Sequence, residues 1–425
     1  FMSDFESWTD SLPRCEKSGI GVVTNGKYVG GIMRQSHDFM HRCLNLSQNG
    51  VQFYGIFCAY NGDQRASKYV SNRLAYEIFF ENPITVDMMP EQIQDALKTK
   101  FSTVAKLYNQ DINELLLKRL LRKEESTEES RDAVEKINSK LRAGTTVLAA
   151  VIVEDHIYVI NCGNSRMLAL VVDNGNSDAW QLNEEHDLVN QDEVDRLHKA
   201  GVSTENLLRP TRGVGDCFRG LCFAENEEFI GANGPPVIST PDVYVYPVDE
   251  FHCSHLLICS DSVVKAIEEI GIEPGNINQF LLSELIREKE HSQTKSCISL
   301  AQAVLDSLTR QHRESAGQQY NSQHDDMSLV LASLGEIMGA AVANTQRATM
   351  TTTDATNSLS LEDTIDNDDT NDPQPYVDCY GFDNKPEAAE VRAELEKLFI
   401  KITKKNIAKD SIEEEREEPE EHSYL

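Results

Sequence analysis

Thr145-Thr146-Val147-Leu148-Ala149-Ala150-Val151-Ile152-Val153, then Glu154-Asp155, then His156-Ile157-Tyr158-Val159-Ile160-Asn161-Cys162, then Gly163-Asn164-Ser165 and a third run from Met167 to Val172 form the stretch on which the fold turns. The runs are rich in β-branched residues and the breaks between them hold turn formers. They predict three consecutive strands joined by tight turns, with Asn164 as a good turn residue.

Upstream, Gln52 to Phe57 is a short apolar strand. It leads into Ser67–Phe80, where Val70, Leu74, Ile78 and Phe79 recur at helical spacing. A second helix opens at Pro90 and runs through Ile93, Leu97, Phe101, Val104 and Leu107, so the two make a helical pair. Asp111 to Arg142 is charge-dense (Arg122-Lys123-Glu124-Glu125-Ser126-Thr127-Glu128-Glu129) and predicts a solvated helical insertion with a polar loop outside the core. Downstream, Glu184–Ala200 reads as a helix ended by Gly201, Val243–Val248, Leu256–Ser260 and Ser328–Leu334 as strands, and Val263 to His312 as two more helices. The expected class is α+β: a β-sandwich of two antiparallel sheets flanked by pairs of antiparallel helices, over residues 8–336.

Beyond it the composition turns to Thr, Asn, Asp and Ser, which cannot bury enough apolar area to offset ordering entropy, so 337–374 reads as a disordered linker. Pro375-Tyr376-Val377-Asp378 follows, then a helix-like stretch with Ala389, Leu395, Leu398 and Ile402 on one side, together 375–405. Residues 406–425 are an acidic tail. An apolar stripe without a core of its own awaits a partner.

With 425 residues and 40% hydrophobic content the chain can bury a large core, while a formal charge of −30 repels a phosphate backbone and argues against nucleic acid. The ten cysteines form no CxxC pair, which reads as reduced intracellular thiols; Cys217 and Cys222 read as small core residues. No run of about eighteen apolar residues occurs, and the opening residues carry neither a basic nor an apolar leader segment. The expectation is a cytoplasmic protein without membrane insertion.

Five short motifs in order resemble the type 2C metal-dependent serine/threonine protein phosphatases. Phe53 to Gly62 looks like the strand and turn that ends in Asp-Gly-His-x-Gly. Ala143-Gly144-Thr145-Thr146 and Tyr158 to Arg166 look like the Gly-Ser-Thr run and its following hairpin, and Arg212 to Asp216 like an Arg-x-x-Gly-Asp element. Ile258 to Ser262 looks like a strand ending in Ser-Asp-Gly, and His324 to Ser328 like the closing Asp-Asn-x-Thr. The resemblance implies a centre of two hard cations about 4 Å apart that activate a shared water. It also implies that the centre is degenerate here. The bridging carboxylate's place is Cys58, whose soft sulfur suits neither Mg²⁺ nor Mn²⁺. Ala59 follows, and Tyr60 replaces the general-acid His. No glutamate lies between Glu16 and Glu77, leaving Asp38 as the upstream substitute. Asp261, Asp325 and Asp216 match remaining metal aspartates, either as turn caps or as a weak Mg²⁺ or Mn²⁺ site; no resident cofactor is expected.

Within that family the losses resemble a branch of kinase-binding adaptors. Its opening Ser-Trp-Thr-Asp motif is matched by Ser7 to Cys15, its Phe-x-Gly-Tyr-x-Gly by Phe57, Tyr60 and Gly62, and its tail by Pro375 to Asp378, although Cys379 here precedes Tyr380 and Phe382. The resemblance implies a pseudophosphatase whose tail (Tyr376, Val377, Asp378, Tyr380, Phe382) binds and activates a MAP kinase kinase kinase of the TGF-beta-activated type, with other kinases as further partners. The second reading is a divergent, weakly active metal-dependent phosphatase. A third, a phosphopeptide-binding cleft, would rest on Arg166 and Arg212.

Overall fold

The computed structural model describes residues 18–29, 32–35, 39–124, 127–172, 177–205, 207, 210–248, 253–292, 299–316 and 323–334. The chain divides into two units, Phe1–Tyr376 and Val377–Leu425, and the described residues all belong to the first. The expected linker, tail motif and acidic tail lie outside the described residues, as do Ser7 to Cys15 and Asp38.

The elements in order are β1 (Ile20–Val23), β2 (Gly26–Val29), β3 (Ile32–Arg34), β4 (Arg42–Gln48), β5 (Val51–Tyr60), α1 (Arg65–Phe79), α2 (Pro90–Glu124), α3 (Glu128–Arg142), β6 (Gly144–Val153), β7 (His156–Cys162), β8 (Arg166–Val172), β9 (Ser177–Gln181), α4 (Gln191–Lys199), β10 (Val214–Gly215), β11 (Asp242–Pro247), β12 (His255–Cys259), α5 (Asp261–Glu269), α6 (Ile277–Ser292), α7 (Leu300–Ala316), β13 (Gln323–His324) and β14 (Met327–Ser333). One sheet has the order β11-β7-β6-β5-β4, with β10 added to β6; a second runs β1-β14-β12-β8-β9; a small third is β13-β2-β3. The pairings within these sheets are antiparallel.

The period-2 alternation of strands builds the layers. On β5, Tyr54, Ile56 and Cys58 point to a core shared with Leu148, Ala150 and Ile152 of β6 and with Leu256, Ile258 and Val330 of the other sheet. Phe53 and Phe57 point the opposite way, onto Val70 and Leu74 of α1 and Leu97 and Phe101 of α2. The outer face of the second sheet, with Leu168, Leu257 and Leu329, is covered by Val263 of α5, Leu281 and Leu285 of α6 and Leu305 of α7. The result is helices, sheet, sheet, helices. Both faces of β6 are covered, which is why its ten residues are all buried and why its sequence is an unbroken apolar run.

The antiparallel α+β sandwich is as expected; several details differ. The helix read as Glu184–Ala200 starts only at Gln191, because the Asn190 side chain accepts from the Asp192 N–H at 3.0 Å and caps it there. Among the described residues three helices, not two, lie between β12 and β13: Gly271 (φ 94°) and Pro274 separate α5 from α6. The charge-dense stretch is not wholly outside the core. It continues α2, whose Ile112 joins Leu141 of α3 in the helix-facing core of the first sheet.

Candidate functional site

The strand ends that carry the sequence motifs meet at one end of the sandwich. β5 stops at Tyr60, and the chain turns through Asn61 (φ 63°) and Gly62 (φ 83°) before α1. A cleft of about 320 Å³ opens there, lined among others by Cys58, Tyr60, Asn164, Asp261, Lys265 and Asp325. Thus four of the five sequence motifs contribute to one cavity. Asp216 does not line it. It faces a neighbouring cleft of about 660 Å³, with Arg119, Arg142 and Arg219, and Tyr60 stands in the wall of both.

Cys58 sits at the back of the smaller cleft, its Sγ 3.7 Å from Ser165 Oγ. Burial pushes its thiol well up, and the nearby Asp261 charge adds to that, so the group at neutral pH is a neutral thiol. Asp261 opens α5 and accepts from Asn164 Nδ2 at 3.1 Å, while the ammonium of Lys265, one helical turn on, lies 2.8 Å from its Oδ2. Lys265 is a feature that the sequence reading passed over, although the i, i+4 spacing was there to see. It places a half-exposed ammonium against a carboxylate of the cleft.

The two adjacent aspartates before β14 have opposite fates. Asp325, matched to a metal position by the sequence motif, is exposed on the rim. Asp326 is buried, and its carboxylate accepts from the Asn25 N–H (2.8 Å), Asn25 Nδ2 (2.7 Å) and the Met40 N–H (2.9 Å). Its carbonyl also accepts from Ser262 Oγ. Asp326 is a clamp between the end of the second sheet and the segments that enter β2 and β4.

Tyr60 fills the space that a smaller side chain would leave to ligands. Its hydroxyl is buried and finds no hydrogen-bond partner among the described residues. Burial pushes the phenol up, and Asp216 reinforces the shift, so it neither gives nor takes a proton readily near neutral pH. The Arg219 guanidinium lies 5.5 Å from its ring centroid and ion-pairs with Asp216 at 2.5 Å. The ring lies so close to β6 that a Cβ on Gly144 would meet its Cζ at 2.4 Å. Gly144→Ala is therefore expected to lower stability by about 1–3 kcal/mol, and adding Tyr60→Ala should remove most of that increment. Chemical denaturation of the four chains checks this; strictly additive losses would mean that the ring is not the obstacle.

Arg166 and Arg212, the candidates for a phosphopeptide cleft, are both engaged. Arg166 donates to Glu185 (2.6 Å) and Asn278 (3.0 Å). Arg212 bonds Glu193 (2.8 Å) and Asp242 (3.1 Å), and Glu193 also accepts from Thr211 Oγ1 (2.7 Å) and Arg196 (2.9 Å). His186 links this network to the β7–β8 turn. Its Nδ1 accepts from the Gly163 N–H at 3.1 Å, which leaves the proton on Nε2 to be donated to Asp242 at 2.8 Å. Arg212 and Arg196, the latter also donating to the Thr211 carbonyl, hold the loop that carries the Arg-x-x-Gly-Asp motif.

The family model described as protein phosphatase 2C matches residues 33–269. A Caenorhabditis elegans protein named TGF-beta-activated kinase 1 and MAP3K7-binding protein 1 is 34% identical over 387 residues, covering 89% of this chain and 95% of that one. Among solved structures, the serine-threonine phosphatase 2C of Toxoplasma gondii matches with a TM-score of 0.47 and 13% identity over 73% of this chain and 92% of its own. The Staphylococcus aureus phosphatase Stp1 matches with a TM-score of 0.43 and 14% identity, over 74% of this chain and 93% of its own. No helix among the described residues is long and apolar enough to cross a membrane.

Proposed function

Given that the chain belongs to the protein phosphatase 2C family, we propose that it is a pseudophosphatase, a cytoplasmic adaptor whose folded domain does no phosphoryl chemistry and whose tail engages a MAP kinase kinase kinase. The observation that carries the reading is the donor set of the cleft. A pair of Mg²⁺ or Mn²⁺ ions needs several anionic oxygens that can bridge and complete six-fold coordination. Here the central position is a buried neutral thiol, Asp261 already holds the Lys265 ammonium, and the Asp326 carboxylate is occupied by Asn25 and Met40. These residues do not fit a two-cation centre, and Asp216 is held by Arg219 in the neighbouring cleft.

The relative named for binding TGF-beta-activated kinase 1 supports the partner class, since the likeness runs over nearly the full length of both chains. In this reading Tyr376, Val377, Asp378, Tyr380 and Phe382 anchor on the kinase and the helix-like stretch to residue 405 seats beside them. Binding favours the active kinase conformation, so activation follows from differential affinity. The test uses the full chain and a MAP kinase kinase kinase catalytic domain, with affinity and autophosphorylation as readouts. Tyr376→Ala, Tyr380→Ala and Phe382→Ala together should weaken binding at least tenfold, the scale of lost aromatic anchors, and lower autophosphorylation in parallel. Unchanged affinity in the triple variant would overturn the tail as the docking element.

A further inference from the structure

We propose that Cys217 and Cys222 are a redox-active dithiol, a modification site at which a hydroperoxide converts the two thiols to an intrachain disulfide. The pair is built by the turn that follows the Arg-x-x-Gly-Asp motif. Asp216 takes a left-handed conformation (φ 51°), the Gly220 N–H bonds the Asp216 carbonyl at 2.8 Å, and the Cys222 N–H bonds the Cys217 carbonyl at 2.7 Å. That last bond brings the side chains together: the Cys217 and Cys222 Sγ atoms lie 2.7 Å apart, inside ordinary non-bonded contact and a short displacement from the ~2.05 Å of a covalent S–S bond. Both are free thiols.

The two sulfurs are not equivalent. Cys217 is fully buried, whereas Cys222 is only half-buried, within reach of a small solute. The contact with Cys217 draws the Cys222 thiol down against burial and the Glu225 carboxylate, to which the Arg119 guanidinium is itself paired at 2.6 Å; the same contact pushes Cys217 up. A partly exposed sulfur in direct contact with a second thiol is a setting in which oxidation is resolved as a disulfide. Cys58, Cys162 and Cys259, by contrast, are buried thiols pushed up by desolvation.

The chemistry balances without a cofactor. The Cys222 thiolate attacks the outer peroxide oxygen; the O–O bond breaks, its electron pair leaves with the other oxygen, and that oxygen takes a proton to become water or an alcohol. Cys222 is then a sulfenic acid. The Cys217 sulfur attacks Cys222 Sγ, the S–O bond breaks, and hydroxide departs as water with the Cys217 proton. Two thiols and one hydroperoxide give one disulfide, one alcohol or water, and one water. The bridge would pin the turn that carries Phe218 and Arg219, two residues in the wall of the larger cleft.

The test exposes the folded full chain to a small excess of hydrogen peroxide, blocks remaining thiols by alkylation, and follows each cysteine peptide by mass. The segment from Cys217 to Cys222 should lose two hydrogens, regain them on reduction, and do so before Cys58, Cys162 or Cys259 changes. Cys217→Ser should stop at a sulfenic acid on Cys222 that a dimedone probe traps. Cys222→Ser should leave Cys217 unreacted under the same exposure. Unfolding midpoints of the two variants check that both remain folded. Both thiols alkylated after the other cysteines have oxidised, or dimedone on Cys217 in the Cys222→Ser chain, would overturn the proposal.

Discussion

Replacing Glu193 with alanine should lower the stability of the domain by about 3–5 kcal/mol, the scale on which a buried charge loses its partner. Its side chain is 1% exposed and serves Thr211, Arg196 and Arg212 at once, and the last of these is itself only 14% exposed. Without the carboxylate the Arg212 guanidinium keeps only Asp242 and the Thr240 carbonyl, and the loop from α4 to β10 loses its anchor. The same network gives a pH signature. Burial opposes ionisation of Glu193, but hydrogen bonds from Arg212, Thr211 and Arg196 outweigh it and hold the folded carboxyl below its ordinary value. A folded pKa below the unfolded one means that the stabilisation is complete above the unfolded value, about 4.3, and is lost as pH falls through the folded one. The natural chain should therefore lose stability steeply on acidification below about pH 4, and Glu193→Ala should show a shallower slope there. Denaturant unfolding at several pH values measures both; a loss under about 1 kcal/mol with an unchanged acid slope would contradict the account.

Rebuilding the cleft should restore cation binding. Cys58→Asp supplies an oxygen donor at the centre, and Lys265→Ala removes the ammonium that holds Asp261. The double variant should be less stable than the natural chain in metal-free buffer, because a carboxylate then sits buried near Asp261. With Mn²⁺ at about a hundred times its Kd it should regain about 2.7 kcal/mol, read as a rise of several degrees in Tm. The natural chain's Tm should not move. A natural chain that gains as much from Mn²⁺ would mean that its donors suffice after all.

The sandwich was legible because its central strands declare themselves locally. The unbroken apolar run of β6 and the β-branched β7 and β8, separated by Glu154-Asp155 and by Gly163-Asn164-Ser165, leave little choice of pairing. Other features are settled by contacts between residues far apart in the chain. Which of Asp325 and Asp326 turns inward depends on Asn25 and Met40, nearly the length of the domain away, and no local pattern carries that. The true start of α4 depends on the Asn190 cap, and the capping signal was present but overruled by an apparently continuous helical pattern from Glu184. Arg212 was read from its motif as a candidate ligand for phosphate. Its engagement with Glu193 and Asp242 is a tertiary fact. Lys265 is the opposite case, a helical i, i+4 partner of Asp261 whose place is legible from local spacing alone.

The most direct test of the central claim is the hydrolysis of a small aryl phosphate by the purified natural chain in excess Mn²⁺. A decayed centre with a neutral thiol at its middle predicts a rate equal to that of buffer and metal alone. Metal-dependent turnover that disappears in Asp261→Ala would contradict it and make the chain a divergent working phosphatase.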